Sequence, residues 1–282
     1  MMSLYLRALT KRANTIELTQ FKSPRLPQRI YTRQFRFDPS HYQRYCRVTG
    51  WTREQELHPC YLQVATLPQQ LTCLLDKKSP FAPVGLVHIE NDITLLGDFD
   101  RAQPAEVRVR YLDVKPHALG WLVMVEVVVL QNEKAVYCAQ SGYLNRVRAA
   151  HVAPRQKKSV ADRRPLPDGQ ALAEIVADTG AGRRYAAVSG DYNPIHLFGV
   201  TARLFGFKQA IAHGMWTLAR TLGVRLCAGD SEHEPLPKII HCQFKRPLFL
   251  PGHATVMQAD SDAGEHLVVM SGNTVYLDVT TR

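Results

Sequence analysis

The chain is 282 residues long and carries 35 Lys and Arg against 25 Asp and Glu, a formal net charge of +10 at pH 7. No apolar run approaches the roughly 20 residues needed to cross a bilayer, and the six cysteines form no CxxC pair and lie in part within apolar patterns, so a reducing, cytoplasmic setting is expected. The positive field favours polyanionic partners, a nucleotide-bearing ligand, an acidic carrier protein or a membrane surface, and no nucleic-acid-binding motif accompanies it; a charge that serves solubility alone stays open as well.

Residues 1–36 hold Lys or Arg at positions 7, 11, 12, 22, 25, 29, 33 and 36 against one acid, Glu17. Arg-rich, acid-poor starts can be organelle transit peptides. Here the apolar stripe of Leu4, Leu6, Leu9 and Ile16 is short and serine is scarce, so the expectation is a basic surface arm. A secretory h-region and cleavage site are missing.

Residues 37–148 and 170–282 read as two copies of one unit. Tyr45 to Gly50 and Tyr185 to Gly190 share Y-x-x-V-[ST]-G. His58 then opens an apolar helical pattern through Leu62, Ala65, Leu71 and Leu75, and His213 opens a similar one through Leu218, Ala219, Leu222 and Leu226. Helices apolar nearly all round are buried in a core. Val87-His88-Ile89 lies 30 residues beyond His58, counting His to His, and Ile240-His241-Cys242 lies 28 beyond His213. Runs rich in Val, Tyr, Leu and Thr follow: 107–114, 121–130 and 135–145 in the first half, 254–259, 266–271 and 274–281 in the second. The gaps between them are too short for parallel crossovers, so each half is predicted as an antiparallel sheet wrapped on one long helix, an α+β fold. Residues 149–169, basic and with Pro154, Pro165 and Pro167, form the linker.

The chemistry concentrates in Tyr185 to Met215. Gly190 and Asn193-Pro194 are turn formers, which puts Asp191 and His196 on an irregular loop. An Asp and a His close together supply a proton acceptor and a group titrating near neutrality, as water addition beside a thioester carbonyl requires. Gly214 stands at the predicted helix start, where unpaired N–H groups and the dipole favour negative charge. Two other readings stay open: Asp191 closing an Asx-turn beside a structural histidine, and a metal site of Asp191, His196 and His213. The metal reading is the weaker, since neither an i,i+4 His pair nor a Cys pair supports it.

The stretch S-G-D-x-N-P-I-H, then G-F, then I-x-H-G-M, over Tyr185 to Ala219, resembles the hydratase 2 motif of MaoC-like (R)-specific enoyl-CoA hydratases. Gln243 to Gly252 is similar to the family's F-x-x-P strand segment. The resemblance implies a double hot-dog fold, with the two sheets joined as one. It also implies a lyase of fatty acid metabolism: reversible hydration of trans-2-enoyl to (3R)-3-hydroxyacyl thioesters of coenzyme A or an acyl carrier protein. It assigns Asp191 and His196 to acid–base catalysis, the Gly214 N–H to the oxyanion and Asn193 to holding the loop. No metal or other cofactor is implied. A homodimer is an admissible assembly, and acyl length and carrier stay open. The first half departs from the motif. Trp51 stands where Asp191 does, His58 follows too soon to leave room for the loop, and Pro59 replaces the oxyanion glycine and has no N–H. That half is therefore expected to be non-catalytic and to shape the acyl tunnel. Lys245 and Arg246 are candidate carrier contacts, of which strand alternation would turn at most one to the ligand; the linker cations Lys157, Lys158, Arg163 and Arg164 are weaker candidates. A non-catalytic thioester-binding protein and a hot-dog thioesterase are the rival readings.

Overall fold

A computed structural model describes residues 2–152, 169–227, 234–259 and 264–282. Most of the linker, with Lys157, Lys158, Arg163 and Arg164, lies outside the described residues. The first half comprises helices α1 (Met2–Thr10) and α2 (Thr15–Leu18), strand β1 (Tyr31–Phe35), helices α3 (Pro39–Thr49), α4 (Tyr61–Ala65) and α5 (Leu67–Leu74), and strands β2 (Leu86–Leu95), β3 (Ala105–His117), β4 (Gly120–Gln131) and β5 (Lys134–Arg146). The second comprises β6 (Gly169–Ala177), α6 (Ala181–Ser189), a 3-10 turn (Pro194–His196), α7 (Gly199–Leu204), α8 (Gly214–Leu226), β7 (Ile239–Phe244), β8 (Gly252–Ala259), β9 (Glu265–Ser271) and β10 (Thr274–Thr281).

All ten strands form one antiparallel sheet in the order β1-β3-β4-β5-β2-β7-β10-β9-β8-β6. Read inward from its two edges, the order repeats, so the internal duplication seen in the sequence is a duplication of topology. The seam is β2 against β7, with Asn91 opposite Cys242 and Ile93 opposite Ile240. These are the strands that follow the two helix-start histidines. Along β4, every second residue from Trp121 through Val123, Val125 and Val127 to Val129 is 0% exposed, the period of a half-buried strand. The sheet wraps α4–α5 on one side of the seam and α8 on the other, which is the double hot-dog architecture.

Two expectations change. The long first-half helix is two helices, broken at Thr66 (φ −92°, ψ −1°). Pro68 has no N–H for the Val64 carbonyl, and its ring crowds the preceding turn. In addition, Tyr31–Phe35, within the stretch expected to be a surface arm, pairs with β3 as an edge strand, Tyr31 opposite Val109. It occupies the place in its half that β6 holds in the other. No helix among the described residues is long and apolar enough to cross a membrane.

Candidate active site

Helix α6 ends at Gly190, whose φ of 72° is left-handed and whose N–H returns to the Ala186 carbonyl. Glycine adopts that conformation without a Cβ penalty, so the chain leaves the helix sharply and Asp191 starts the next loop. The repeated V-[ST]-G is this cap: Gly50 ends α3 the same way, at φ 68°. Asp191 Oδ1 accepts the Asn193 N–H at 3.1 Å, so the Asx-turn does form, and the Asn193 side chain in turn accepts from the Ile195 N–H to start the 3-10 turn that ends at His196. Asn193 thus sits where it fixes the path between the two proposed catalytic side chains.

His196 is 8% exposed, and its Nδ1 lies 2.8 Å from the Ile211 carbonyl. A carbonyl only accepts, so Nδ1 carries the proton and Nε2 is left with its lone pair. His213, the N-cap residue of α8, uses Nε2 to donate to the Asp191 backbone carbonyl at 3.0 Å, while the Asp191 carboxylate lies 3.9 Å away. Its buried Nδ1 has no partner. Burial lowers the pKa of His196, and the Asp191 charge opposes this only in part. Burial, with His196 alongside, pushes His213 down to about 3. Both rings are therefore neutral near pH 7.

Side-chain ligand atoms of Asp191, His196 and His213 lie within 4.8 Å of one another. That separation suits a water held between carboxylate and imidazole. It suits a metal ion less well: the two rings are stacked, and stacked imidazoles direct their in-plane lone pairs side by side rather than at one tetrahedral centre about 2 Å from each.

The trio opens into a cavity of about 530 Å³ between the two halves. Gly214 and Met215 line it, and the His213 side chain makes no capping bond, so the start of α8 presents N–H groups to the cavity. A Cβ on Gly214 would lie 2.7 Å from the Phe244 ring, so glycine is required there for packing as well. Leu67, Leu71, Leu74 and Leu86 of the first half form its apolar part. The cations that line it are Arg146, Lys245 and Arg246, all exposed, and the lining acid is Asp191. Lys245 and Arg246 both line it because β7 ends at Phe244 and alternation stops there. Lys245 is held by Gln243, with Asp278 4.0 Å away.

At the equivalent place in the first half, Trp51 (2% exposed) packs on His58 (0%), with ring centroids 4.6 Å apart. The His58 nitrogens contact the Ala219 carbonyl at 3.2 Å and the Cys60 N–H at 2.9 Å. Trp51, His58 and Pro59 do not line the cavity. Sequence reasoning did not pick out four lining residues, Arg146, His88, Tyr143 and Gln63, and it left His213 without its orienting role, although the H-G-M motif marked it.

A sequence profile described as a MaoC like domain matches residues 170–275. Over 268 residues the chain is 30% identical to 3-hydroxyacyl-thioester dehydratase X of Mycobacterium tuberculosis (strain ATCC 25618 / H37Rv), covering 93% of this chain and 91% of that protein. The crystal structure of HtdX from Mycobacterium tuberculosis matches with a TM-score of 0.74 at 27% identity, covering 90% of this chain and 99% of that one. A MaoC-like dehydratase from Phytophthora capsici has a TM-score of 0.68 at 18% identity, covering 95% of this chain and 97% of that one, a likeness of fold alone. With the motif loop, the duplicated sheet and a relative aligned along nearly its whole length, the chain belongs to the MaoC-like dehydratase family.

Proposed function

We propose that the chain catalyses the reversible hydration of trans-2-enoyl thioesters to (3R)-3-hydroxyacyl thioesters, with Asp191 and His196 as the acid–base pair in the second half. The observation that carries this reading is the convergence of the Asp191 carboxylate and the His196 imidazole, within 4.8 Å, at the open start of α8 inside a cavity. A water between them gives up a proton to the pair as its oxygen bonds to C3. The C2=C3 electrons move towards C2 and the thioester oxygen, and the pair returns a proton to C2. The charge that builds on the thioester oxygen faces the Gly214 N–H, a contact worth about 3 kcal/mol in a dry site. His213 holds the Asp191 backbone, and Asn193 holds its carboxylate. The (3R) outcome rests on the family resemblance.

The first half is read as non-catalytic, because Trp51 and His58 pack together where the loop and cavity would be. The carrier is anionic in this reading, coenzyme A or a carrier protein's phosphopantetheine, met by Arg146, Arg246 and Lys245. Six free cysteines fit a cytoplasmic setting. The test is incubation of the purified chain with crotonyl-CoA and longer enoyl-CoAs, following loss of the enone absorbance. Release of free thiol in place of enone loss would make the chain a thioesterase, and binding without either would make it a thioester-binding protein.

A further inference from the structure

Exposed apolar side chains gather around α7, at the rim of the cavity. Phe198 precedes the helix and Phe205 follows it; both are exposed, and between them Val200 is 71% and Leu204 80% exposed. No other stretch of eight described residues exposes as many large apolar side chains. Scattered single ones are ordinary, whereas a contiguous group marks a surface that meets a partner. Val200 and Leu204, four apart, share the outer face of the helix, and Ala202, fully buried, turns inward. Thr201 holds the helix in this pose: its Oγ1 donates to the Pro194 carbonyl at 2.6 Å, in the turn that ends at His196. Phe205 and Phe207 line the cavity, so the patch runs directly into it.

The charge around the patch has one sign. No acid occurs between Asp191 and Asp230. Arg183, Arg203 and Lys208 are exposed, and among the described residues none of them pairs with an acid. Arg183 lies over the Phe198 ring, 5.1 Å from its centroid, and donates to the Leu197 carbonyl at 3.0 Å. Arg203 donates to the Lys208 carbonyl at 3.4 Å. A partner for this surface must be acidic and carry an apolar face. Coenzyme A meets the first requirement, but one nucleotide is too small to cover the run from Phe198 to Phe205. A second copy of the chain meets the second, but a two-fold contact would set these cations against themselves. An acidic carrier protein meets both, and its phosphopantetheine arm enters the cavity beside the surface on which the protein docks.

We infer that α7 is the docking surface for an acidic acyl carrier protein, with Val200 and Leu204 as its apolar contacts and Arg183, Arg203 and Lys208 as its charged rim. The inference rests on the hydration reading for the thioester and names the carrier that delivers it.

The full chain and its variants Val200→Glu, Leu204→Glu and Arg203→Glu are assayed on the crotonyl thioesters of an acidic acyl carrier protein and of coenzyme A. Urea melts report that each variant is folded. Val200→Glu and Leu204→Glu should lower kcat/KM for the carrier-protein substrate by about tenfold or more, through KM. They should leave the coenzyme A value within about twofold. Arg203→Glu should act in the same direction, and added salt should narrow its difference from the unaltered chain. Equal effects on the two substrates overturn the proposal. So does a dimer that Leu204→Glu splits in sedimentation, or binding to vesicles of phosphatidylcholine and phosphatidylglycerol that Leu204→Glu abolishes, since a second copy or a membrane would then cover the patch. Calorimetry with the butyryl carrier protein, which has no double bond to hydrate, separates the two readings. Binding that Leu204→Glu abolishes, without turnover of either crotonyl thioester, supports the docking surface and defeats the hydration reading; turnover of crotonyl-CoA with no binding of the carrier protein does the reverse.

Discussion

His196 and His213 stack face to face, with 3.7 Å between ring centroids and 26° between planes. Charging one ring raises the cost of charging the other, and burial already disfavours both cations. In the proposed mechanism His196 therefore enters the reaction as a neutral base. Its pKa lies below the ordinary 6.5, so kcat/KM should stay level as pH falls from about 8 through 6.5 and decline only at lower pH. A pH–rate profile with its acid limb at or above 6.5 would contradict this assignment.

Asp191→Asn keeps size and removes a strong acceptor; His196→Ala removes the ring. Each should lower kcat by about 100- to 10,000-fold. If the two act on one water as proposed, the double variant should lose little beyond the worse single one. Near-normal turnover in both single variants, measured on the best enoyl thioester, would place the chemistry elsewhere.

Gly214→Ala puts a methyl group 2.7 Å from the Phe244 ring atoms. Overpacking of this kind costs about 1–3 kcal/mol, and the start of α8 should move with it, lowering kcat. Phe244→Leu in the same chain should restore much of the lost stability. Urea melts of the four combinations give the coupling, and additive losses would show that the ring is not what Gly214 makes room for.

The strands and buried helices were legible because their apolar periods are strong, as in Trp121 to Val129, and the loop from Gly190 to His196 was legible through its turn formers. What stayed hidden depends on one residue shifting a register or stopping an element. Pro68 breaks a helix whose apolar pattern runs on. A bulge in β2 at Ile89 re-aims His88 with no local signature. Arg146 stands just before the predicted linker with nothing to mark it, yet it ends β5 at the cavity. Lys245 and Arg246 read as alternating strand residues, but β7 stops one residue before them.

Arg146 and Arg246 are the cations through which salt should act, since Lys245 already has Gln243 and Asp278. For a coenzyme A substrate, kcat/KM should fall as ionic strength rises while kcat changes less. A neutral pantetheine thioester should show a flatter dependence. Arg246→Glu should raise KM for the coenzyme A substrate far more than for the pantetheine one. Equal salt slopes for the two would assign the positive charge to solubility.

Buried neutral histidines also set an acid limit on the fold. Burial holds His58 down to about 4, from 6.5 when exposed. The unfolded chain binds the proton first, so this stability is complete above pH 6.5 and is lost as pH falls towards 4. For His58 alone the loss amounts to roughly 3 kcal/mol across that window. The urea midpoint should drop steeply between neutral pH and the low end of that range; a flat midpoint would mean that His58 charges without unfolding the chain.

The cavity wall contributed by the first half separates two kinds of inheritance. In the proposed reading, proton handling lies between Tyr185 and Gly214, whereas much of the contour of the acyl floor lies between Gln63 and Arg146, in the copy read as non-catalytic. Drift in that copy is free to explore new acyl groups while the catalytic copy stands still. A duplicated chain of this kind can diversify its diet without passing through an inactive ancestor.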